Sequence, residues 1–317
     1  MSSVESRMSW LIIAVLSLMV CLRSTGAQEE EEPKGPPEPE DITLTTGDGV
    51  VLKCTYYPGT LGKEAIPYVL VHGWEGRRTE FHELALALQK PGHAVIVPDL
   101  RGHGSSTTQK TKFGDERQID PKRIKDVGAA EVEDLRTVKR FLIEKNNAAQ
   151  LNIEMLCGVG SEFGALAVMN WAVWDWSRPQ LPAYKIGRDI KAMVLISPPQ
   201  TFKGVSGQLA IKHPIVGRLL STMIIVGNQD GGRTYSDAKR LYSSLKRLHA
   251  PIDSNDRKEQ LEKQDLFYVE LETSLQGNKL LIGQQADIIR NIMGFSQLRL
   301  INKKDDLKWT ERLDLQN

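Results

Sequence analysis

The sequence predicts an α/β architecture, a mostly parallel central sheet with helices on both faces. Three observations predict it. Apolar runs at 66–71, 94–97, 153–159, 190–196 and 223–226 carry almost no polar residue, as strands buried on both faces require. Segments 81–88, 129–144 and 234–249 repeat apolar residues at helical spacing between those runs. From residue 66 onward strand and helix mostly alternate, the order that builds a parallel sheet. Without its first 40 residues the chain of 317 keeps roughly 280, ample for one large core.

The N-terminal residues read differently. Residues 1–27 place Arg7 ahead of an apolar run at 10–22, followed by the small residues Ser24-Thr25-Gly26-Ala27. The run falls short of the ~20 residues of a membrane span, so a cleaved signal peptide is expected, and with it a secreted or periplasmic protein. Cys21 follows Leu18-Met19-Val20, which lacks the small residues of a lipoprotein signal. Residues 28–40, QEEEEPKGPPEPE, form an acidic, proline-rich linker with nothing to bury. The folded domain is expected over 41–295, with a polar tail at 296–317 in which Leu298, Leu300, Leu307 and Trp309 could dock.

Composition narrows the partners. A net charge of +1 with interspersed signs gives no field for nucleic acid or an anionic membrane, so membrane contact is expected only through the signal segment. Cys54 and Cys157 lie in predicted strands and read as small buried apolar residues; a disulfide would need neighbouring strands in matched register. No Cys/His set has metal-ligand spacing, so neither metal nor cofactor is expected. A small-molecule ligand is the partner class left open, and no feature identifies a protein partner.

In chain order, 41–58 alternates around Gly47-Asp48-Gly49 and predicts a hairpin. The strand at 66–71 ends in His72-Gly73-Trp74. The strand at 94–97 runs into Asp99-Leu100-Arg101-Gly102-His103-Gly104-Ser105-Ser106. Residues 107–124 are polar and read as a surface excursion. The strand at 190–196 ends at Ser197, and only some two dozen residues separate it from the next, leaving room for little or no lid and hence an open mouth. Asp230 follows Gly227 just beyond the strand at 223–226. The strand Leu266–Leu271 leads to Thr273-Ser274-Leu275-Gln276-Gly277, and 282–292 reads as the closing helix. Trp171, Trp174 and Trp176 cannot share one helix face, so at least one should approach the surface.

The chain is organised around 156–172, a buried strand, a sharp turn and a buried helix. Backbones crowd at such a turn, which needs small residues two before and two after its apex. Gly160 and Gly164 meet that need only if Glu162 is the apex; with Ser161 there, Val159 and Phe163 would flank it. The Gly-x-apex-x-Gly stretch resembles the nucleophile elbow of the α/β-hydrolase fold, whose apex is usually Ser, sometimes Cys or Asp. His72-Gly73 and Asp99-Leu100-Arg101-Gly102-His103-Gly104 resemble the amino-terminal half of the same family, and the likeness spans 41–292.

The resemblance implies a nucleophile at Glu162, an acid at Asp230, a histidine after Leu266–Leu271, and an oxyanion hole from the N–H groups of Trp74 and Phe163. No histidine follows that strand; glutamine stands in the matching stretch and takes no proton at neutral pH. Glu162 could attack as a carboxylate, hold a cation or amine, fill the oxyanion hole itself, or merely cap its helix. His72, Gly73, Asp99, Arg101, Gly102 and Gly104 read as structural turn residues rather than reagents. Two readings follow: a hydrolase-fold binding or scaffold module without Ser-His-Asp activity, and an esterase, peptidase or dehalogenase-like enzyme using Glu162, Asp230 and an unidentified base.

Overall fold

The computed structural model describes residues 35–312 apart from Ala183 and Asp230. The signal segment, most of the linker, the end of the tail and the acid-position Asp230 therefore lie outside the described residues.

A ten-stranded sheet forms the centre. Its amino-terminal edge is the expected hairpin, β1 (Glu40–Thr45) antiparallel to β2 (Val50–Tyr57). Then come β3 (Pro67–Val71), β4 (Ala94–Pro98), β7 (Leu156–Ser161), β8 (Ile190–Ile196), β11 (Ser221–Gly227) and β12 (Leu266–Leu271). In space the main strands run β1-β2-β4-β3-β7-β8-β11-β12, and every pair from β4 to β12 is parallel. The continuous apolar runs are thereby explained, since β3, β4 and β7 are buried along their whole length.

Helices cover both faces. They are α1 (His82–Gln89), α2 (Val127–Asn147), α3 (Phe163–Trp176), α4 (Gln208–Lys212), α5 (Arg233–Lys246), α6 (Arg257–Lys263), α7 (Gly277–Gly283) and α8 (Gln285–Arg299). One core holds Leu135, Val138 and Leu142 of α2 with Leu166 and Trp171 of α3; the core on the opposite face holds Leu84 and Leu88 of α1 with Ile288 and Ile292 of α8. Of the crowded tryptophans, Trp171 is fully buried while Trp174 and Trp176 are half-buried.

Several expectations change. Residues 107–124 contain β5 (Thr108–Lys110) and β6 (Glu116–Gln118), a hairpin that extends the sheet from Val50 and Val51. The run at 153–159 opens with a 3₁₀ turn before β7 begins. The closing helix is two helices broken at Gln284, and the second runs past residue 295 to Arg299. Its last turn belongs to the core, with Ser296 and Arg299 both buried. Cys54 and Cys157 are buried and unpaired; β4 and β3 stand between their strands, so no disulfide can form without rebuilding the sheet.

The connection between β8 and β11 holds β9 (Thr201–Phe202), β10 (Val205–Ser206) and α4. It is a small cap, and it is not wholly clear of the mouth. Lys203 and Gly204 both have positive φ, the backbone of a two-residue hairpin turn. That turn directs Phe202 onto Trp74 and Phe163, with ring centroids 5.7 and 5.5 Å away.

Candidate functional site

Glu162 sits at the apex between β7 and α3, with φ 50° and ψ −115°. Such a backbone costs on the order of 1–3 kcal/mol and persists only where the surroundings enforce it. The surroundings here are glycines. A Cβ on Gly160 would stand 2.3 Å from the carbonyl oxygen of Gly164, and one on Gly164 would stand 2.2 Å from that of Val71. The turn is also tied to the next strand, because Glu162 N–H donates to Ile196 O at 2.8 Å. Ser161 points into the core, fully buried, with no partner for its hydroxyl among the described residues.

The Glu162 carboxylate lies between two further glycines. A Cβ on Gly73 would be 2.6 Å from its Oε2, and one on Gly277 would be 2.2 Å from both Cδ and Oε1. Gly277 follows β12, in the turn where a base would stand. At φ 55° it adopts a backbone that favours glycine, and the space its side chain would enter already holds Glu162. Its neighbour Gln276 is turned away: Oε1 accepts from Ser197 Oγ at 2.9 Å and Nε2 donates to Gly227 O at 2.8 Å. Ser197 also accepts from Gly277 N at 2.9 Å, fixing the turn to the end of β8.

Burial raises Glu162 above the ordinary carboxylate range, an effect only partly offset by the charge of Lys279. Among the described residues its carboxylate accepts no hydrogen bond from Trp74 N–H, Phe163 N–H or any other donor. Glu80 comes into the same neighbourhood, its carboxyl also raised, first by burial and further by Glu162. Its Oε2 accepts from Asn278 Nδ2 at 2.5 Å. Glu80 and Asn278 carry no sequence signal, and Ser197 and Gly277 are placed only by their strands, because each acts through a loop contact that no local spacing marks.

The remaining motif residues form the frame. His72 is fully buried; its Nδ1 contacts Gly73 O at 2.7 Å and its Nε2 accepts from Leu100 N at 3.0 Å, one neutral tautomer serving both. Burial lowers its pKa to about 4. Asp99 accepts from Arg78 N at 2.6 Å and Ser105 N at 2.8 Å, and a Cβ on Gly104 would collide with its carboxyl. Arg101 bridges Asp134 at 2.6 Å and Asp48 at 2.7 Å, and Gly102 keeps a positive φ against Pro121. His103 packs edge-on to Trp74 with centroids 4.6 Å apart and contacts Arg101 O through Nδ1. All six histidines are described, and none hydrogen-bonds Glu162 or Ser161. Among the described residues no three His, Cys, Asp or Glu side chains are grouped to hold a metal.

Comparison with solved structures decides the architecture. An esterase of Pyrococcus furiosus superposes with a TM-score of 0.57 over 83% of this chain and 91% of its own, at 15% identity. An esterase of Rhizomucor miehei gives 0.56 over 85% and 86% at 14% identity, and the α/β hydrolase GrgF of a Penicillium gives 0.56 over 84% and 100% at 11%. A family model described as alpha/beta hydrolase fold matches residues 67–153. The chain has the α/β-hydrolase fold. A curated relative, an uncharacterized protein of Mycobacterium tuberculosis, is 32% identical over 78 residues, 28% of its length. At these identities the α/β-hydrolase structures speak for fold alone, and the chemistry rests on the site.

Proposed function

We propose that this hydrolase-fold protein lacks Ser-His-Asp hydrolase activity and serves as a binding or scaffold module. One observation carries the reading: the Glu162 carboxylate occupies the volume into which a side chain at Gly277 would project. In this arrangement the carboxylate at the nucleophile position and a side chain at 277 compete for one volume. A histidine at 277 would have to displace Glu162, and the glutamine beside it is bound to Ser197 and Gly227. Acyl transfer through this elbow needs a nucleophile and a base in hydrogen-bond reach, about 2.6–3.2 Å, and no described imidazole meets Glu162 or Ser161. The apolar run and small residues at 10–27 support export, so the working compartment under this reading is the periplasm or the exterior.

The test is ester turnover by the mature chain from about Gln28 on short-chain p-nitrophenyl esters, beside Glu162→Ala and Ser161→Ala. The expected result is no rate above the Glu162→Ala background. Turnover lost only in Glu162→Ala would establish a carboxylate-based enzyme. Turnover lost in Ser161→Ala would move the nucleophile to a residue the structure buries.

A further inference from the structure

The outer face of α5 borders a groove of about 800 Å³. All nine residues lining it carry a hydrogen-bond donor, and none is acidic or aliphatic. Four are cations, Lys239, Arg240, Lys246 and Arg247, all exposed. Among the described residues none of the four forms an ion pair.

Their spacing is as informative as their sign. Lys239 and Arg240 make one pair, Lys246 and Arg247 a second, seven residues on. Seven residues are two helical turns, so both pairs face the same way about 10 Å apart along the axis. The acids of the neighbourhood are engaged elsewhere. Asp237, on the inner side of α5, is buried and accepts from Gln200 N at 3.2 Å, and Arg233 lies 3.6 Å from it. Glu270 of β12 accepts from Tyr235 OH at 2.9 Å, and that hydroxyl in turn accepts from Lys239 Nζ at 3.3 Å. Among the contacts within the groove, Arg247 Nη2 reaches Ser244 Oγ at 3.5 Å, a neutral partner that leaves its charge uncompensated.

We propose that this groove binds a small molecule carrying two phosphate or sulfate groups roughly 10 Å apart, one to each cation pair. Guanidinium and ammonium groups interleaved with serine hydroxyls suit tetrahedral oxoanions, which accept several bonds at once. A single anion would use only one pair and leave the other repelling itself. The site is separate from Glu162 and would stand whether or not the elbow is catalytic.

Isothermal titration calorimetry of the full mature chain with a hexanediol bisphosphate, its bis-sulfate counterpart and hexyl monophosphate tests the assignment. The bisphosphate or the bis-sulfate should bind at least tenfold more tightly than the monoester, and which of the two is tighter identifies the oxoanion. Lys239→Gln/Arg240→Gln and Lys246→Gln/Arg247→Gln should each abolish that advantage, while Lys239→Arg and Lys246→Arg keep it. Circular dichroism melts confirm that these surface variants fold, and Glu162→Ala should bind as the native chain does. Equal affinity for mono- and diesters, binding unchanged in either double variant, or retention only of long polyanions such as heparin would overturn the proposal.

Discussion

At Gly277 two costs meet that can be separated by experiment. An alanine there would hold a left-handed backbone, about 1–2 kcal/mol by itself, and would drive its methyl into the Glu162 carboxylate. Removing Glu162 relieves only the second. Gly277→Ala should therefore destabilise the native chain by about 3 kcal/mol and the Glu162→Ala chain by about 1, a coupling of about 2 kcal/mol in a double-mutant cycle of chemical denaturation. A coupling near zero would mean that the carboxylate swings aside freely, and the competition between Glu162 and a side chain at 277 would fall with it. The ionisation of Glu162 supplies an independent check. Burial raises its folded pKa, so its charged form is penalised in the folded state and the penalty is present at neutral pH. As pH falls through the folded value and then the unfolded one near 4.3, the carboxyl is protonated in both states and the penalty disappears. Glu162→Gln should thus raise the melting temperature at pH 7 and leave it little changed at pH 3. The apex itself was legible in the sequence because its two glycines lie at fixed spacing. Gly277 was not, because what makes it glycine is a side chain 115 positions away in the chain.

Elements were read where burial left a period and missed where it did not. The buried strands of the parallel sheet and the helix packed behind the elbow carry continuous or helical apolar patterns, and their centres came out in place. The β5–β6 hairpin gave no pattern, since Thr108-Gln109-Lys110 and Glu116-Arg117-Gln118 bury no face and pair through backbone at the sheet edge. Helix α6 is likewise polar with no buried residue, held by its Asp256 cap, whose carboxylate accepts from Lys258 N at 2.8 Å. The single closing helix expected over 282–292 is broken at Gln284, and Ile282, apolar yet 70% exposed on α7, carries no sign of the break. Its true end was hidden for a related reason. Arg299 reads as a surface residue, yet it is buried and donates to Ser221 Oγ at 3.1 Å and Glu262 O at 2.8 Å. A cap too short to predict as structure nonetheless brings Phe202 over the elbow, so the accessibility of a site can hinge on the least periodic segment near it.

Across the whole molecule, the rear of the sheet and the last described residues are joined by one buried charge network. Lys139 of α2 contacts Asp175 of α3 and Asp189, the latter at 2.5 Å, and all three side chains are almost fully buried. Arg312 reaches back to the same Asp189 at 2.5 Å and also to Glu154, while Lys185 closes on Glu154 at 2.5 Å. Burial alone would lower the Lys139 pKa, but Asp175 and Asp189 outweigh it and hold the ammonium charged. Asp175 has a second duty, accepting from the backbone N–H groups of Asp189 at 2.7 Å and Ile190 at 3.0 Å where β8 begins. Deleting one member of such a network is costly because the others stay buried without compensation. Lys139→Met should lose about 3–5 kcal/mol, since it strips the one ammonium that, among the described residues, contacts Asp175. Arg312→Leu should lose less, about 1–3 kcal/mol, because Lys139 and Lys185 still face Asp189 and Glu154. The two changes share Asp189, so the double variant should lose more than the sum of the singles, since only Lys185, 3.3 Å away and part-exposed, then still faces that carboxylate. Urea denaturation of the four proteins measures this directly. Strict additivity would show that the C-terminal segment is held by Trp309 and Leu307 packing, and that the shared carboxylate does not couple it to the sheet.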